Sequence, residues 1–586
     1  MEPIGERRWR ISEPEPQQVQ RLARELKVPQ VIASLLVNRG VVEPAEAARF
    51  LTPALGGIHD PFLLQGMDRA VERLAAAFRK NERVCVYGDY DVDGISAVAL
   101  LIDFFRGAGL DCFYHIPKRL EEGYGLSAEG IEAAAHRGAN VIVTVDCGIT
   151  ADKESRLCSS LGIDLIITDH HTPGEVIPQA CAVINPHLPG CPFPFKALAG
   201  VGVAFNLLVA LRNRLREEGV FGATGGPNLR EYLDLVALGT VADIVPLLDE
   251  NRIFVKFGLA ELTRSPRLGI QALKRVAGVA DPVGCGAVGF RLAPRLNAAG
   301  RLEDAALGVE LLLCSDPAEA HEIATRLDSG NAERQALEQE MLHDVLQRVK
   351  GEARLAGRKS IVLASKDWHP GVIGIVASRI VDIFHRPTIL IALQEGNGRG
   401  SGRSIPAFHL HDALHACSEH LQKFGGHKYA AGLSIDEAIL EAFVARFDEV
   451  AHGVLTEADL TPEIKVDAEL SGEEITVELA EMVGSLSPFG MGNPEPVFMV
   501  KGATVTARRV LKEQHLKLRL AVGGKSLEAI GFNMAQGKDL AGTIDVLFSL
   551  EVNAWNGKRG LQLRLKDFRE SSTAAFSERE SAGMRE

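Results

Sequence analysis

A short apolar run that ends in three closely spaced aspartates constrains this chain more than any other feature of its sequence. Val84–Tyr87 has the composition of a buried strand, and Asp89, Asp91 and Asp93 follow it at alternate positions. Carboxylates held this close repel one another, and each disfavours ionisation of the next. A chain retains such a cluster where a hard cation neutralises it, so the segment predicts a metal site.

Two further apolar runs end in residue types that bind metals. Val141–Val145 leads into Asp146, and Leu165–Thr168 leads into the tripeptide Asp169–His171. Open α/β sheets place their sites at the carboxyl ends of parallel strands. The three runs together therefore predict one metal site at the carboxyl edge of a parallel sheet.

The first acidic cluster, taken alone, allows three other interpretations. The Asp-x-Asp-x-Asp-Gly spacing of residues 89–94 matches the opening of an EF-hand loop, but Leu100 stands where the bidentate Glu is needed and a strand precedes the cluster. An aspartate-nucleophile phosphatase also begins with a strand and Asp-x-Asp, yet it leaves the Asp-His-His run unexplained. A solvated acidic turn would be the default for this run, and it fails once the other two runs are counted.

Length and composition indicate a multidomain globular protein. A chain of 586 residues is too long for one core, and we expect three or four domains. No stretch is long and apolar enough to cross a bilayer, and no hydrophobic signal core lies near the start. The 9 cysteines form no C-x-x-C pair, and an odd number suits a reducing compartment. We therefore expect a cytoplasmic protein with no membrane partner.

The net charge of −13 is unevenly distributed along the chain. Residues 434–482 hold 14 acidic and 2 basic residues, a net charge of −12, whereas residues 483–570 hold 13 basic and 8 acidic residues, a net charge of +5. The C-terminal segment is therefore locally cationic, and the acidic balance of the whole chain does not exclude nucleic acid as a partner.

Hydrophobic periodicity predicts an α/β protein with a helical start. Residues 1–75 read as a helical segment, and residues 76–310 alternate apolar strands with helices, the pattern of a doubly wound parallel sheet. Within this unit, Leu235–Ala242 is a further apolar element that delivers a lone acid, Asp243.

A long connector helix is expected over residues 315–355. Asp316–Glu319 has the sequence of a helix start, with a capping residue, a proline and a glutamate, and Gly330 is the weak point of the helix. A second α/β unit follows at 356–457 and a small β-barrel, an OB-fold, at 460–570. The polar tail 571–586 is expected to be disordered.

A glycine-rich basic run, Asn397–Ser404, reads as a loop in the second α/β unit. Glycines let backbone N–H groups close on an anion, and Arg403 adds fixed charge. Gly425, Gly426 and His427 follow closely as a turn. A phosphate site and a plain connecting loop are both compatible with this pattern.

Four segments, in this order, resemble the four motifs of the DHH phosphoesterase superfamily. They are Gly88–Gly94, Val145–Gly148, Asp169–His171 and Val241–Leu247. Pro294–Arg301 and Gly425–Gly432 are similar to further motifs of one branch, the RecJ family of 5′→3′ exonucleases specific for single-stranded DNA. The resemblance covers nearly the whole chain. It implies a DHH catalytic domain at 76–310, a DHH-associated substrate-binding domain at 356–457 and an OB-fold domain at 460–570.

The resemblance implies an active site with two Mn²⁺ or Mg²⁺ ions. The implied metal ligands are Asp91, Asp93, Asp146, His170 and Asp243. Asp146 would bridge the two ions, and Asp89 and His171 would lie beside them as catalytic residues, with His171 facing the substrate phosphate. Two such ions about 3.5–4 Å apart activate water and stabilise charge without a Ser or Cys nucleophile.

One position departs from the superfamily pattern. Several members carry a metal-binding His just before the acid cluster, where this chain has Tyr87 and Gly88. We therefore expect the first metal to have fewer protein ligands and more water.

Contacts to DNA are expected from three regions. Arg295 and Arg301 suit phosphate, although they could instead be surface arginines that cap a helix. The glycine-rich run and the turn that follows it would bind the 5′ end. On the barrel, the phenylalanines are expected in the core and Trp555 is the candidate for base stacking. The predicted DNA-binding residues are Arg295, Arg301, Arg399, Ser401, Arg403, Ser404, Gly425, Gly426, His427, Arg508, Arg509 and Trp555.

The predicted function is a metal-dependent 5′→3′ exonuclease that releases 5′-mononucleotides from single-stranded DNA in repair and recombination. The family resemblance also implies a monomer, with single-stranded-DNA-binding protein and a repair helicase as partners. Two alternatives stay open. One is a DHH-type phosphodiesterase for short oligonucleotides or cyclic dinucleotides, and the other is a non-catalytic nucleic-acid-binding scaffold. The four intact motifs disfavour the scaffold.

Overall fold

The computed structural model describes residues 7–118, 122–123, 125–222, 225–302, 304–351, 357–535, 542–555 and 558–571, with the backbone alone at residues 302, 554, 555 and 558. The predicted disordered tail lies outside the described residues from position 572 onward. No helix within these stretches combines the length and the apolar character that a membrane span requires.

From residue 7 onward, the N-terminal segment contains one strand, four α-helices and two short 3₁₀ helices. The strand and the α-helices are β1 (Arg8–Ile11), α1 (Pro16–Leu26), α2 (Gln30–Val37), α3 (Pro44–Leu51) and α4 (Met67–Lys80). The prediction of a purely helical segment missed β1. This strand lies in parallel beside a second short strand from the far end of the chain, and local sequence carries no signal for such a pairing.

The predicted catalytic domain alternates strands with helices and then becomes entirely helical. Its elements are β2 (Val84–Gly88), α5 (Val92–Gly107), β3 (Cys112–His115), α6 (Ala128–His136), β4 (Val141–Val145), α7 (Asp152–Ser160), β5 (Asp164–Thr168), β6 (Ala182–Ile184), α8 (Gly200–Glu217), α9 (Leu233–Ala242), α10 (Asp249–Thr263), α11 (Leu268–Val276), α12 (Cys285–Ala287), α13 (Ala293–Leu302) and α14 (Ala306–Leu313).

The sheet of this domain has the strand order β3-β2-β4-β5-β6, and every neighbouring pair is parallel. All residues of β2 and β4 are buried, as expected for strands covered on both faces. The predicted doubly wound parallel sheet is confirmed, and the carboxyl ends of β2, β4 and β5 meet at one edge. The apolar element before Asp243 is helix α9.

A single helix of 35 residues, α15 (Pro317–Gly351), connects the two α/β domains. Asp316 caps it, because its Oδ1 accepts hydrogen bonds from the amides of Ala318 and Glu319 at 2.9 Å each. Gly330 does not interrupt the helix. The predicted long connector helix is confirmed.

The second α/β domain is built on a mixed sheet with the strand order β10-β11-β9-β8-β7. Its elements are β7 (Ile361–Ser365), α16 (Ile373–Phe384), β8 (Thr388–Gln394), β9 (Asn397–Arg403), α17 (Leu410–His415), β10 (Lys423–Gly426), β11 (Ala430–Asp436) and α18 (Leu440–Val454). The prediction of a loop at Asn397–Ser404 is wrong, since Asn397–Arg403 is a central strand.

Glycines at alternate positions explain why β9 is a strand. Ideal Cβ atoms on Gly398, Gly400 and Gly402 would lie 2.7–2.9 Å from apolar side chains of neighbouring elements, so this face packs against its neighbours without room for side chains. Side chains alternate across a strand, and the residues between the glycines therefore share the other face. That second face carries Arg399, Ser401 and Arg403.

The C-terminal domain is a closed barrel of five strands with a few preceding elements. They are β12 (Glu463–Val466), β13 (Ala468–Glu469), α19 (Val477–Ser485), β14 (Phe498–Leu511), β15 (His515–Val522), β16 (Lys525–Gly531), β17 (Thr543–Trp555) and β18 (Lys558–Glu570). Pairing runs from β14 through β15, β16, β18 and β17 back to β14, which closes the barrel. The predicted OB-fold is confirmed.

The N-terminal helices share a hydrophobic core with the barrel. Leu22 of α1 and Leu35 of α2 belong to the same buried cluster as Leu479, Phe498 and Phe548. The N-terminal helices and the barrel therefore form one packed unit, which neither segment's local sequence indicates.

A buried arginine joins this unit to the catalytic domain. Arg252 of α10 is 2% exposed, and its guanidinium donates to the carbonyl oxygens of Phe50, Leu486 and Ser487. Burial lowers the pKa of Arg252 to about 10, so it stays charged at neutral pH. Backbone carbonyls of the N-terminal helices and of the segment that precedes the barrel thus surround the Arg252 guanidinium.

Candidate active site

The first acidic cluster lies at the turn from β2 into α5. Asp89 follows the strand, and Asp91 caps the helix, with its Oδ1 accepting hydrogen bonds from the amides of Asp93 (2.9 Å) and Gly94 (3.2 Å). Asp89 therefore lies at the end of the strand, Asp91 at the helix N-cap and Asp93 in the first helical turn.

Three other elements bring their acids and histidines to the same edge of the sheet. Asp146 follows β4 with a left-handed backbone φ of 61°, a conformation uncommon for non-glycine residues. His170 and His171 come two and three residues after β5, and Asp243 ends α9. The metal-ligand residues predicted from sequence thus reach one place from four separate segments.

The ligand atoms of these residues converge. Three overlapping groups each have all their ligand atoms within 4.8 Å of one another. The groups are Asp89, Asp91 and Asp146; Asp93, His170 and Asp243; and Asp146, His170 and His171. Asp146 and His170 each occur in two of the three groups, so the arrangement has space for more than one cation.

Two buried atoms in this cluster indicate that a cation belongs there. His170 Nε2 lies 3.1 Å from Asp146 Oδ1 and 3.7 Å from Asp243 Oδ2, and neither His170 Nε2 nor Asp243 Oδ2 has the geometry of a hydrogen bond to any described residue. Buried polar atoms are rarely left without a partner unless an ion or water completes them. Burial and the neighbouring His171 lower the pKa of His170 to about 4, so the imidazole is neutral and able to bind metal at pH 7.

The carboxylates would otherwise hold protons. Burial and the neighbouring Asp91 raise the pKa of Asp93 to about 7, and burial with the same aspartates raises the pKa of Asp243 to about 9. The pKa of Asp146 is also raised, again by burial first and then by the nearby carboxylates. A set of carboxylates and one imidazole suits Mn²⁺ or Mg²⁺, either of which would replace these protons.

Asp169 is a residue of this candidate site to which sequence reasoning gave no individual role. Its Oδ1 accepts from the His171 ring Nδ1 at 2.8 Å, and its Oδ2 accepts from the Ile149 amide at 2.9 Å. Burial acts to lower the pKa of His171, but the hydrogen bond and charge of Asp169 outweigh it and raise that pKa. Asp169 therefore fixes the ring of His171 and favours its protonated form.

A second site lies between the catalytic and second α/β domains. A cavity of about 450 Å³ is lined by Arg301 of α13, by Arg399, Ser401 and Arg403 of β9, and by Gly425 of β10. Sequence reasoning predicted all five as contacts to DNA, and the structure brings them together. Three arginines around one cavity suit a phosphate group.

The segment Trp368–Gly374, which ends in the first turn of α16, contributes to this cavity and joins the domains. Gly371 O accepts a hydrogen bond from Arg301 Nη1 at 3.0 Å, and Trp368 Nε1 donates to Asp344 of α15 at 2.9 Å. An added Cβ on Gly374 would lie 2.8 Å from Ser401 Oγ and 3.0 Å from Arg403 Nη2. This glycine therefore lets the polar groups of β9 approach α16.

Four predicted DNA contacts lie elsewhere. Arg295 forms an ion pair with Asp328 of the connector helix at 2.8 Å. The Ser404 hydroxyl donates to the Phe408 carbonyl, and Ser404 lines a different cavity. Gly426 and His427 lie at the tip of the β10–β11 hairpin and do not line the 450 Å³ cavity.

The barrel presents a row of four side chains across four of its strands, three of them cationic. Register pairs Arg509 with Lys517, Lys517 with Ile530, and Ile530 with Arg564, so these side chains share the outer face. Arg508 is exposed on β14 as well. The side chain of Trp555 lies outside the described residues.

Phe532 was expected in the barrel core with the other phenylalanines, and for this residue the prediction is wrong. Phe498 and Phe548 are fully buried, whereas Phe532 is 49% exposed, and Arg564 Cζ lies 5.6 Å from its ring centroid. It follows directly after β16, where the strand that would keep it in the core has ended.

Comparison with known proteins places these features in one family. A model of the DHH family N-terminal domain matches residues 83–240, a DHHA1 domain model matches residues 357–453, and a RecJ OB domain model matches residues 466–567. The single-stranded-DNA-specific exonuclease RecJ of Escherichia coli is 40% identical over 574 residues, covering 93% of this chain and 98% of the relative. RecJ of Salmonella typhimurium is 41% identical, with 92% and 96% covered.

Solved structures agree with the sequence relatives. RecJ from Thermus thermophilus in complex with Mn²⁺ has a TM-score of 0.82 at 35% identity, covering 96% of this chain and 80% of that one. The same protein with Mg²⁺ has a TM-score of 0.77 at 32% identity, with 96% and 79% covered. The chain thus belongs to the RecJ family of single-stranded-DNA-specific exonucleases.

Proposed function

We propose that this protein hydrolyses single-stranded DNA from its 5′ end with the help of Mn²⁺ or Mg²⁺ and releases 5′-mononucleotides. The observation that carries the proposal is the convergence of five aspartates and His170 at the carboxyl edge of the parallel sheet. The named activity of its relatives and the Mn²⁺ and Mg²⁺ complexes of the T. thermophilus protein support both the substrate and the metals.

The residues proposed to hold two cations are Asp91, Asp93, Asp146, His170 and Asp243. When bound, the ions would supply an activated water and stabilise charge on the phosphate oxygens. Asp146 is the proposed bridging ligand, because Asp146 and His170 each take part in two of the three ligand groups, and of these two residues only Asp146 has two oxygens that would be available to two cations. Asp89 lies in the group with Asp91 and Asp146, so its carboxylate would lie beside the ions.

His171 is proposed to bind the scissile phosphate. Because Nδ1 is engaged by Asp169 Oδ1, a hydrogen bond from this ring to a phosphate oxygen would come from Nε2. The raised pKa of His171 favours the protonated ring that this role needs.

The cavity between the two α/β domains is proposed to bind the 5′-terminal phosphate. Arg301, Arg399 and Arg403 supply positive charge around it, and Ser401 supplies a hydroxyl. A terminus held there would orient the strand with its 5′ end leading, which gives the enzyme its 5′→3′ polarity. Arg295 is then a residue that positions the connector helix through Asp328.

The barrel is proposed to extend the path of the DNA. Arg508, Arg509, Lys517 and Arg564 offer charge for the backbone, and the exposed Phe532 offers a ring for base stacking. The family resemblance supports a role in DNA repair and recombination as a cytoplasmic monomer, with single-stranded-DNA-binding protein and a repair helicase as partners.

Digestion of end-labelled DNA tests the proposal. Single- and double-stranded substrates, each labelled at either end, are incubated with Mn²⁺ or with EDTA. We expect rapid release of labelled mononucleotide from the 5′ end of single strands, slow release from duplexes and none with EDTA. Cleavage only of very short oligonucleotides or cyclic dinucleotides, or binding without cleavage, would contradict it.

A further inference from the structure

A four-residue segment outside all the recognised motifs contacts three of the five proposed metal ligands. Leu198–Val201 leads into and begins α8, an 18-residue helix that packs in the core of the catalytic domain. Its contacts to Asp93 are made by the backbone. A search of the sequence for metal-ligand residue types therefore does not find this segment.

Asp93 is held by the first two amides of α8. Gly200 N donates to Asp93 Oδ2 at 2.6 Å, and Val201 N donates to Asp93 Oδ1 at 3.0 Å. The amides of the first helical turn have no partner within the helix, so they are available for a carboxylate. Each oxygen of Asp93 thus has its direction fixed while retaining a lone pair for a cation.

The third ligand, His170, interacts with Leu198, which lies two positions before Gly200 in the chain. A backbone hydrogen bond with Leu198 acts to raise the pKa of His170. Most metal-binding histidines have one ring nitrogen held by such an outer contact and bind the metal through the other nitrogen.

Asp146 packs directly against Gly200. An ideal Cβ on Gly200 would lie 2.5 Å from Asp146 Oδ1 and 2.7 Å from Asp146 Cβ. Because no real side chain fits there, the carboxylate of Asp146 can occupy its place only beside a glycine.

We propose that Leu198–Val201 is a backbone clamp that orients Asp93, Asp146 and His170 for the metals, with Gly200 as a positioning residue. The proposal rests on the metal-ligand assignment given under the proposed function. One short segment at a helix start sets the mutual geometry of ligands that come from three separate strand ends. Loss of such outer contacts costs about 10–100-fold in metal affinity.

The variant Gly200→Ala tests the clamp, with Gly202→Ala as the matched control on the same helix. A Cβ on Gly202 would meet its nearest neighbours at 3.4–3.9 Å, which is ordinary contact. Mn²⁺ binding is measured by titration with electron paramagnetic resonance of the free ion, and steady-state kinetics are measured on 5′-phosphorylated single strands. We expect Gly200→Ala to weaken Mn²⁺ binding at least tenfold and to lower kcat at limiting Mn²⁺, with partial rescue by excess Mn²⁺ and an unchanged KM for DNA.

The control variants separate failure of the clamp from failure of the metal assignment. Gly202→Ala should bind Mn²⁺ as the wild type does, and Asp146→Ala should lose binding. If Asp146→Ala loses binding while Gly200→Ala keeps it within twofold, the clamp is wrong and the ligand assignment stands. If Asp146→Ala binds Mn²⁺ normally, the assignment itself is wrong.

A measurement on the unaltered protein covers the case in which Gly200→Ala does not fold. Hydrogen exchange of the peptide containing residues 198–203 is followed by mass spectrometry with and without Mn²⁺. Mn²⁺ should slow exchange of the Gly200 and Val201 amides, because the ion fixes the carboxylate that they hold. Unchanged exchange at these amides would overturn the proposal.

Discussion

His171 Nδ1 lies 2.8 Å from Asp169 Oδ1, and this hydrogen bond holds the ring of the second histidine of the Asp-His-His tripeptide. The first residue of that tripeptide thus serves the third, while the middle residue turns its Nε2 toward Asp146 at 3.1 Å. Asp169, His170 and His171 therefore make different contacts although they are adjacent in the chain.

Asp169→Asn should slow hydrolysis by about 10²-fold, because the ring would lose the charge that keeps it protonated. The negative charge of Asp169 raises the pKa of His171, so its removal lowers that pKa. As pH rises, activity that needs the protonated ring should then be lost earlier than in the wild type. The alkaline limb of the pH–rate profile should therefore shift to lower pH. Asp164→Asn, at the other end of β5, is the control, and an alkaline limb that stays in place in Asp169→Asn would contradict the role of Asp169.

Stability should depend on pH and metal together. The pKa of Asp93 is raised to about 7 and that of Asp243 to about 9, so the metal-free folded protein holds protons that the unfolded chain releases. Its free energy of unfolding should therefore fall as pH rises from the ordinary carboxyl pKa of 3.8 to the raised values of about 7 and about 9. A cation displaces those protons, so the rise in Tm caused by Mg²⁺ should grow over the same pH range.

Differential scanning calorimetry at about pH 6 and about pH 8, with and without Mg²⁺, measures this linkage. Asp243→Asn removes one of the titrating groups and should flatten the pH dependence of the metal-free protein. An equal Mg²⁺-induced shift at both pH values would mean that the carboxylates do not exchange protons for the metal.

Arg403→Ala should reduce the preference for a 5′-phosphate more than it slows cleavage of a strand already bound. A charged hydrogen bond contributes about 1.5–3 kcal/mol, so the ratio of kcat/KM for 5′-phosphorylated over 5′-hydroxyl strands should fall by about 10–100-fold. Arg446→Ala is the control, since Arg446 lies in the same domain and pairs only with Glu449 among the contacts described. An unchanged ratio in Arg403→Ala would move the end-binding site elsewhere.

Variants on the outer face of the barrel should weaken binding to long strands. Each lost phosphate contact should reduce the salt slope by about 0.7, so a double variant of Arg509 and Arg564 to Ala should lower it by about 1.4. Phe532→Ala should weaken binding by about 1–3 kcal/mol through lost stacking, without changing the slope. Fluorescence anisotropy of labelled strands over a range of salt measures both, and unchanged affinity and slope would leave the barrel with a structural role.

Point variants are preferable to deleting residues from 460 onward. Leu22 and Leu35 of the N-terminal helices are buried against the barrel, so truncation would expose them to water. Loss of activity in a truncated protein would then report misfolding as readily as lost contact with DNA.

The sequence predicted best what depends on local pattern. Val84–Tyr87 and Val141–Val145 are apolar runs of strand length, and the acids that follow them had to meet at one edge because parallel strands end together. The cap at Asp316 and the five barrel strands also have short-range signals.

The remaining features depend on contacts between distant residues or on the backbone. The pairing of β1 with β12 joins positions more than 450 residues apart, as at Arg8 and Glu463. The clamp at Leu198–Val201 acts through amides and a missing Cβ, so no side-chain pattern marks it. Strand β9 could have been found, because glycine at every second position from Gly398 to Gly402 has the period of a strand.

Asp146→Ala gives the most direct test of the central claim, which is that the protein hydrolyses single-stranded DNA with cations held by the aspartates of the candidate active site. Mn²⁺ binding and release of mononucleotides from 5′-phosphorylated single strands are measured together for the wild type and the variant, with thermal unfolding as the check on folding. We predict cooperative unfolding, loss of Mn²⁺ binding and a rate well below about a tenth of that of the wild type, because the Asp146 carboxylate takes part in two of the three ligand groups. A folded variant that retains more than about a tenth of the wild-type rate would contradict the account.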